Sequence, residues 1–109
     1  MAAYVPDAGD IIWLEFSPQA GHEQAGHRPA VVLSPATYNR IGLLLCCPLT
    51  TKQKGYPFEV AVDNDRQSAV LADQVKSLDW RARGAKRKGR VSEMELAEVR
   101  AKARALIGK

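Results

Sequence analysis

The chain of 109 residues is 46% hydrophobic, carries a formal net charge of +4 and contains two cysteines. This length suits a single domain, residues 1–109, whose apolar content allows a core without disulfides. No apolar run approaches the roughly 18 residues of a membrane helix, and no signal-type block begins the chain. We therefore expect a cytoplasmic protein that makes no membrane contact.

The positive charge is concentrated in residues 81–90. This segment has six Lys and Arg and no acidic residue, whereas the rest carries ten positive and twelve negative residues. Such a cluster suits a polyanion or an acidic protein segment, although most basic runs are solvated turns. We predict a basic turn here.

The first third of the chain pairs two strands with a long polar loop. Residues 10–16 are β-branched and aromatic, which predicts a strand. Trp13 is expected in the core, and an exposed indole that serves as a stacking surface is the less favoured alternative. Residues 29–33 form a wholly apolar run typical of a buried strand. The connection at 17–28 is longer than usual and carries a carboxylate, two imidazoles, two amides and a guanidinium. Long polar loops on a rigid scaffold commonly hold functional groups.

The middle of the chain is predicted from apolar runs and turn-forming residues. Asp73 and Gln74 are polar interruptions within its last strand. In order, the predicted elements are a turn with one helical turn at 34–39, a central strand at 43–49, a polar loop at 50–57, a strand at 58–62, a loop at 63–68 and a strand at 69–78.

One helix is predicted, at residues 93–107. Ser92 is its N-cap, Glu95 completes a capping box, and Gly108 ends it. An apolar stripe at helical spacing is expected to pack on the sheet: Leu96, Val99, Ala103, Leu106 and Ile107. Short strands followed by a terminal helix indicate the α+β class, a small, strongly curved barrel with a helix packed on it.

The adjacent Cys46 and Cys47 are expected to be core residues. Neighbours in a strand point to opposite faces, so the two thiols are poorly placed to bridge each other. Neither their spacing nor a matching histidine pair makes a metal site. We predict no bound metal and no cofactor.

Six blocks of sequence carry a further signal: PDAGDIIW at 6–13, EQAGHRPAVVLS at 23–34, PLTT at 48–51, KGYPFEV at 54–60, ADQVKS at 72–77 and WRARG at 80–84. Together and in this order they resemble the MazF/PemK (Kid) family of toxin endoribonucleases, and the MazF branch most closely. The resemblance runs from about residue 4 to the C-terminus. One short motif would be weak evidence, but this many ordered blocks are specific.

The resemblance implies a fold, partners and an activity. The fold is an SH3-like (CcdB/PemK-type) barrel with a C-terminal helix, assembled as a homodimer. The activity is that of a type II toxin, which cleaves single-stranded RNA at a specific sequence without a metal. The ribose 2′-OH would attack the adjacent phosphorus, leaving a 2′,3′-cyclic phosphate and a 5′-hydroxyl. An ACA-like cut site and a MazE-like antitoxin with an acidic disordered tail are also implied.

Three residues are predicted to carry this chemistry. Arg28 matches the family's catalytic arginine, and its planar guanidinium fits two phosphate oxygens. Thr50 ends the most apolar strand, where the family has a threonine, and its hydroxyl can donate to a phosphate oxygen. Glu23 is the candidate base for the 2′-OH proton. The division of roles among Glu23, His27 and Arg28 stays open, because an imidazole also exchanges protons near neutral pH.

Further residues are predicted to bind RNA around this centre. Asp73 and Gln74 match family site positions. Tyr56 is a better base-stacking candidate than Phe58, which lies inside a strand, and stacking contributes roughly 1–3 kcal/mol per base. The remaining candidates are Gln24, His27, Thr51, Lys54, Arg81, Arg83 and Lys86. The basic residues suit either RNA phosphates or the acidic tail of an antitoxin, and competition for one surface would explain inhibition.

Two other functions compete with this one. A CcdB-like toxin would poison gyrase by binding protein and would not need Glu23, His27, Arg28 and Thr50. A non-catalytic, basic RNA-binding barrel is the third hypothesis. The absence of RNP-type aromatic strands argues against it.

Overall fold

The computed structural model describes residues 3–16, 26–62 and 68–108. Within these ranges the chain forms seven strands and two helices. In order they are β1 (Asp10–Glu15), β2 (His27–Val32), α1 (Ala36–Asn39), β3 (Leu43–Thr50), β4 (Glu59–Ala61), β5 (Ala69–Leu71), β6 (Lys76–Asp79), β7 (Lys86–Arg90) and α2 (Glu93–Ile107). The predicted α+β class, strands first and a helix last, is confirmed.

The strands form an antiparallel sheet organised around β3. The order is β4-β5-β3-β2-β1-β7, and β6 also pairs with β3. Along one edge, β3 pairs first with β6 through Leu43–Cys46 and then with β5 through Leu49 and Thr50. Its other edge pairs with β2. Along this edge β3 thus changes its neighbour from β6 to β5, which is typical of a curved sheet.

Two hydrophobic clusters fill the two sides of the sheet. The first includes Leu96 and Val99, so it joins α2 to the strands. The second contains Trp80, whose indole N–H donates to the backbone oxygen of Asn39 at 2.7 Å. Both faces are therefore buried in residues 30–32 of β2 and 46–50 of β3, which explains the continuous apolar runs there.

The helix α2 has the predicted bounds and cap. The Ser92 hydroxyl accepts the Glu95 N–H at 3.1 Å, and the Glu95 carboxylate accepts the Ser92 N–H at 2.8 Å. The predicted apolar stripe is wrong at its end, because Leu106 and Ile107 are 54% and 79% exposed. Burial along the helix stops at Ala103, so the last turn contributes nothing to the core.

The predicted strand at 69–78 is two strands, β5 and β6, joined by a turn. The Gln74 N–H donates to the Leu71 oxygen at 3.0 Å and closes this turn. Asp73 and Gln74, expected as interruptions within one strand, therefore end it. The break lets β5 and β6 pair with different parts of β3.

The predicted basic turn is half wrong, because Lys86–Arg90 form the edge strand β7 against β1. Charged side chains suit an exposed sheet edge, so a basic run does not prevent strand formation there. Ion pairs to the buried Asp10 add to this pairing: its Oδ1 lies 2.9 Å from Arg90 Nη1 and 3.9 Å from Arg87 Nε. Arg87 and Arg90, which the sequence suggested as solvated residues of a turn, therefore stabilise the pairing of β7 with β1.

Cys46 and Cys47 are free and buried, which confirms their prediction as core residues. Burial raises the pKa of both thiols to about 12, so both stay protonated near neutral pH.

Among the helices of the described residues, none has the length and apolarity that crossing a membrane requires.

Candidate functional site

Arg28 and Thr50 lie where β2 begins and β3 ends. The two strands are antiparallel, and their last pair at this end is Ala30 with Pro48. Arg28 and Thr50 each lie two residues beyond that pair, and residues two apart in a strand point to the same face. The strands therefore carry a guanidinium and a hydroxyl to the same end and the same face of the sheet.

Arg28 was predicted in a loop, and that placement is wrong. The backbone of His27 and Arg28 pairs with Glu15 and Leu14 of β1, so β2 begins before the apolar run does. Pairing with a neighbouring strand, rather than hydrophobicity, extends the strand into polar sequence. The half-buried Arg28 is therefore held on a strand rather than in a loop.

Thr50 is the last residue of β3 and is only 6% exposed. Its Oγ1 accepts the Lys52 N–H at 3.1 Å, and its backbone pairs with Ala69 of β5. Because the oxygen accepts from the protein, the hydroxyl hydrogen can be donated to an anion. Thr51, the alternative hydroxyl, is exposed just beyond the strand.

His27 is exposed and stacks on Trp13, with ring centroids 5.5 Å apart and ring planes 12° apart. Lys88 Nζ lies 5.7 Å from the centre of the same indole. Trp13 is half-buried, so its prediction as a core residue is wrong; its ring instead supports His27. Neighbours in a strand alternate between faces, so His27 and Arg28 point to opposite sides of β2.

The exposed loop after β3, residues 51–57, meets the turn that follows β5. The Tyr56 side chain hydrogen-bonds to Asp73, and this bond raises the pKa of Tyr56. The Tyr56 side chain remains exposed, and its ring centre is 5.7 Å from that of Phe58. The structure thus brings together a base-stacking candidate and the turn holding Asp73 and Gln74.

Two of the basic candidates share the end of the sheet that carries Arg28. The Arg83 guanidinium donates to the backbone oxygen of Glu15 at 2.8 Å, at the end of β1. Lys86 is exposed and pairs across strands with Trp13. Lys86 therefore lies on the face of the sheet that carries Trp13 and His27, opposite to the face of Arg28. Lys54 is exposed in the loop after β3.

Arg81 lies elsewhere. Its guanidinium carbon is 4.4 Å from the centre of the Trp80 ring, and its Nη2 donates to the Arg40 oxygen at 3.2 Å. This position is beside the start of β3, and seven residue steps of strand, roughly 23 Å, lead from there to Thr50. The structure does not bring Arg81 to the site within one chain.

Glu23 and Gln24 lie outside the described residues. The described ranges contain no group of three or more His, Cys, Asp or Glu side chains placed to hold a metal ion. The described part of the site is instead a cationic, hydroxyl-bearing surface suited to a phosphate group. Guanidinium and hydroxyl donors of this kind stabilise charge that develops on phosphate oxygens during a reaction.

Two residues that touch this site were missed by the sequence analysis. Glu59 accepts hydrogen bonds from the backbone of the 51–57 loop, and Lys102 of α2 donates to the same loop. Both bind main-chain groups, which every residue possesses, so no residue pattern marks them. Trp13 differs from these two residues, because a stacking role was the less favoured alternative in the sequence and the structure shows its indole stacked on His27.

Comparison with known proteins places this chain in a family. The profile described as PemK-like, MazF-like toxin of type II toxin-antitoxin system matches residues 7–107. The endoribonuclease toxin MazF of Escherichia coli (strain K12) is 57% identical over 110 residues, which cover 99% of each chain.

Two crystal structures from Deinococcus radiodurans match as well. MazF (Form-I) has a TM-score of 0.93 and 53% identity, covering 98% of this chain and 100% of that one. The MazE–MazF structure (Form-II) has a TM-score of 0.86 and 53% identity, covering 97% and 98%. These matches confirm the predicted barrel-like antiparallel sheet with its C-terminal helix. The chain belongs to the family of PemK-like, MazF-like toxins of type II toxin–antitoxin systems.

Proposed function

We propose that this protein is an endoribonuclease toxin that cleaves single-stranded RNA and thereby stops translation and growth. The observation that carries the proposal is the placement of Arg28 and Thr50 at one end and on one face of two paired strands. Membership in a toxin family whose relatives are named endoribonucleases supports it. The ligand that fits this pair is the scissile phosphate.

The proposed reaction uses a nucleophile that the substrate itself carries. The ribose 2′-OH attacks the adjacent phosphorus and the bond from phosphorus to the 5′-oxygen breaks. The departing oxygen takes a proton from water, so the products are a 2′,3′-cyclic phosphate and a 5′-hydroxyl. Arg28 and Thr50 stabilise the charge on the phosphorane oxygens. Glu23 takes the 2′-OH proton in this proposal, and a general base of this kind contributes about 10²–10⁴-fold.

RNA recognition is assigned to the surface around this centre. Tyr56 stacks an unpaired base, while Asp73 and Gln74 contact base edges, which only single-stranded RNA exposes freely. Lys54, Arg83 and Lys86 contact phosphates, which position RNA without reading its sequence. Residues Gln24, His27 and Thr51 complete the proposed contacts, and Arg81 would reach RNA only at a distance from the cut. An ACA-like triplet is the proposed site.

The protein acts, in this proposal, as a cytoplasmic homodimer with a cognate antitoxin. Related toxins have been crystallised as MazE–MazF complexes, which supports an antitoxin of the MazE kind. An acidic, disordered tail suits the basic surface that Arg83 and Lys86 contribute. A CcdB-like gyrase poison is the less favoured hypothesis, because relatives of this chain are named endoribonucleases.

Removal of divalent metal is expected to leave cleavage intact, because the nucleophile is the RNA's own hydroxyl and Arg28 supplies the positive charge. The purified protein is incubated with a long, defined single-stranded RNA in EDTA, and the cut ends are mapped. We expect a short recurring cut sequence and 5′-hydroxyl ends, which accept phosphate from a kinase without prior phosphatase treatment. A strict requirement for Mg²⁺, or 5′-phosphate ends, would contradict the proposed chemistry.

A further inference from the structure

The 51–57 loop is held by a carboxylate that no part of the proposed chemistry uses. Glu59 begins β4, and its two carboxylate oxygens accept the Lys54 N–H at 3.2 and 3.1 Å. Its Oε1 also accepts the Gly55 N–H at 3.2 Å. Hydrogen bonds to an ionised acceptor are about twice as strong as neutral ones. One side chain therefore fixes two successive amides in the middle of an exposed loop.

A second charged group holds the end of the same loop. Lys102 of α2 donates from Nζ to the backbone oxygen of Pro57 at 2.5 Å and to the backbone oxygen of Glu59 at 3.4 Å. Its Nζ also lies 3.7 Å from Glu98, one helical turn earlier. The helix thus supports the loop from below through main-chain atoms.

The residue between these anchors is Tyr56, the proposed base-stacking group. Its side chain is tied to Asp73, and its backbone oxygen accepts the Glu59 N–H at 3.0 Å. Gly55 before it has φ of +71°, a left-handed conformation that favours glycine. The loop therefore has one defined shape, and that shape sets where the Tyr56 ring and the Lys54 ammonium stand.

We propose that Glu59 is a positioning residue for RNA recognition: by holding the Lys54 and Gly55 amides, it presents Tyr56 and Lys54 to the bases beside the cut. This inference rests on the proposed ribonuclease function. Glu59 acts through the loop and does not touch the reacting atoms. Its loss should therefore change substrate binding and sequence preference more than the chemical step, since misplaced binding groups weaken recognition.

The test compares Glu59→Ala and Glu59→Gln with the wild type on short single-stranded RNAs. One RNA carries the cut sequence mapped for the wild type, and the others each change one base of it. For Glu59→Ala we expect KM to rise about tenfold, kcat to change by less than about threefold, and the preference for the mapped sequence to fall about tenfold, roughly 1.4 kcal/mol. Glu59→Gln keeps an uncharged acceptor of similar size, so its KM and its sequence preference should lie between those of the wild type and Glu59→Ala.

The matched control is Glu93→Ala, which removes an exposed carboxylate from the first turn of α2. It should leave KM and sequence preference within about twofold of the wild type. If Glu59→Ala and Glu59→Gln remain folded and match this control in both quantities, the proposal is overturned. A fall in kcat alone, with KM and preference unchanged, would also overturn it.

A second measurement needs no RNA and separates this proposal from the proposed function. Hydrogen exchange at the Lys54 and Gly55 amides is followed by NMR in the wild type and both variants. We expect exchange to be protected in the wild type and about tenfold faster in Glu59→Ala. Equal exchange in the two proteins contradicts the anchoring role. If the wild type cuts no RNA but Glu59→Ala still shows the faster exchange, the ribonuclease function is contradicted and the anchoring role is confirmed.

Discussion

Replacing Arg28 by alanine is expected to lower kcat/KM for RNA cleavage by about 10²–10³-fold while the protein stays folded. Arg28 is the second residue of β2, and its backbone pairs with Leu14 of β1. This pairing does not depend on the side chain, so the strand should survive the substitution. Removing it takes away the positive charge that would balance the phosphorane. Because this charge develops in the transition state, the loss should appear mainly in kcat.

Two further variants make the Arg28 result specific. Arg28→Lys keeps the charge but loses the planar fork, so we expect an intermediate loss of about tenfold or more. Arg104→Ala removes a positive charge from the exposed last turn of α2 and should cleave within about twofold of the wild type. Single-turnover cleavage of one labelled RNA measures all three. Near-native cleavage by folded Arg28→Ala would remove Arg28 from the site.

Thr50→Val is expected to lower cleavage by about 10- to 100-fold, because valine keeps the shape but cannot donate to a phosphate oxygen. A hydrogen bond to a charged group contributes about 1.5–3 kcal/mol, and each 1.4 kcal/mol is about tenfold in rate. The exposed Lys52 N–H loses its Oγ1 acceptor but can bond water, so the fold should be retained.

The neighbouring hydroxyl provides the decisive comparison for Thr50. Thr50→Ser retains the donor and should keep most of the activity, within about fivefold, since only a methyl group is lost. Thr51→Val tests the other hydroxyl in the same assay. If Thr51→Val loses activity and Thr50→Val does not, the donor is the exposed hydroxyl rather than the one at the end of β3.

Secondary-structure elements that are stabilised by residues close to them in the sequence were predictable. The helix α2 has the predicted bounds because Ser92 and Glu95 cap it within one turn of chain. The pairing of Arg28 with Leu14 depends on a strand that lies across a long connection, so the start of β2 was placed too late. β7 was missed for a related reason: its basic composition suggests a turn, and only the free edge of β1 makes it a strand.

The site was partly predictable for the same physical reasons. Arg28 and Thr50 were predicted from the family resemblance and from side chains that suit a phosphate, and the antiparallel register brings them to one end of the sheet. Glu59 and Lys102 escaped notice because their partners are backbone amides and carbonyls, which have no sequence signature. The Trp13–His27 stack likewise depends on cross-strand neighbours that only the register reveals.

The central claim is that the RNA's own 2′-OH is the nucleophile at a phosphate bound by Arg28 and Thr50. The most direct measurement uses two RNAs with the mapped cut sequence, one of them carrying a single 2′-deoxy nucleotide on the 5′ side of the scissile phosphate. We expect cleavage of that bond to fall to background, while binding of the two RNAs differs by less than about threefold. Cleavage of the deoxy-substituted bond at a rate near that of the unmodified RNA would contradict the claim.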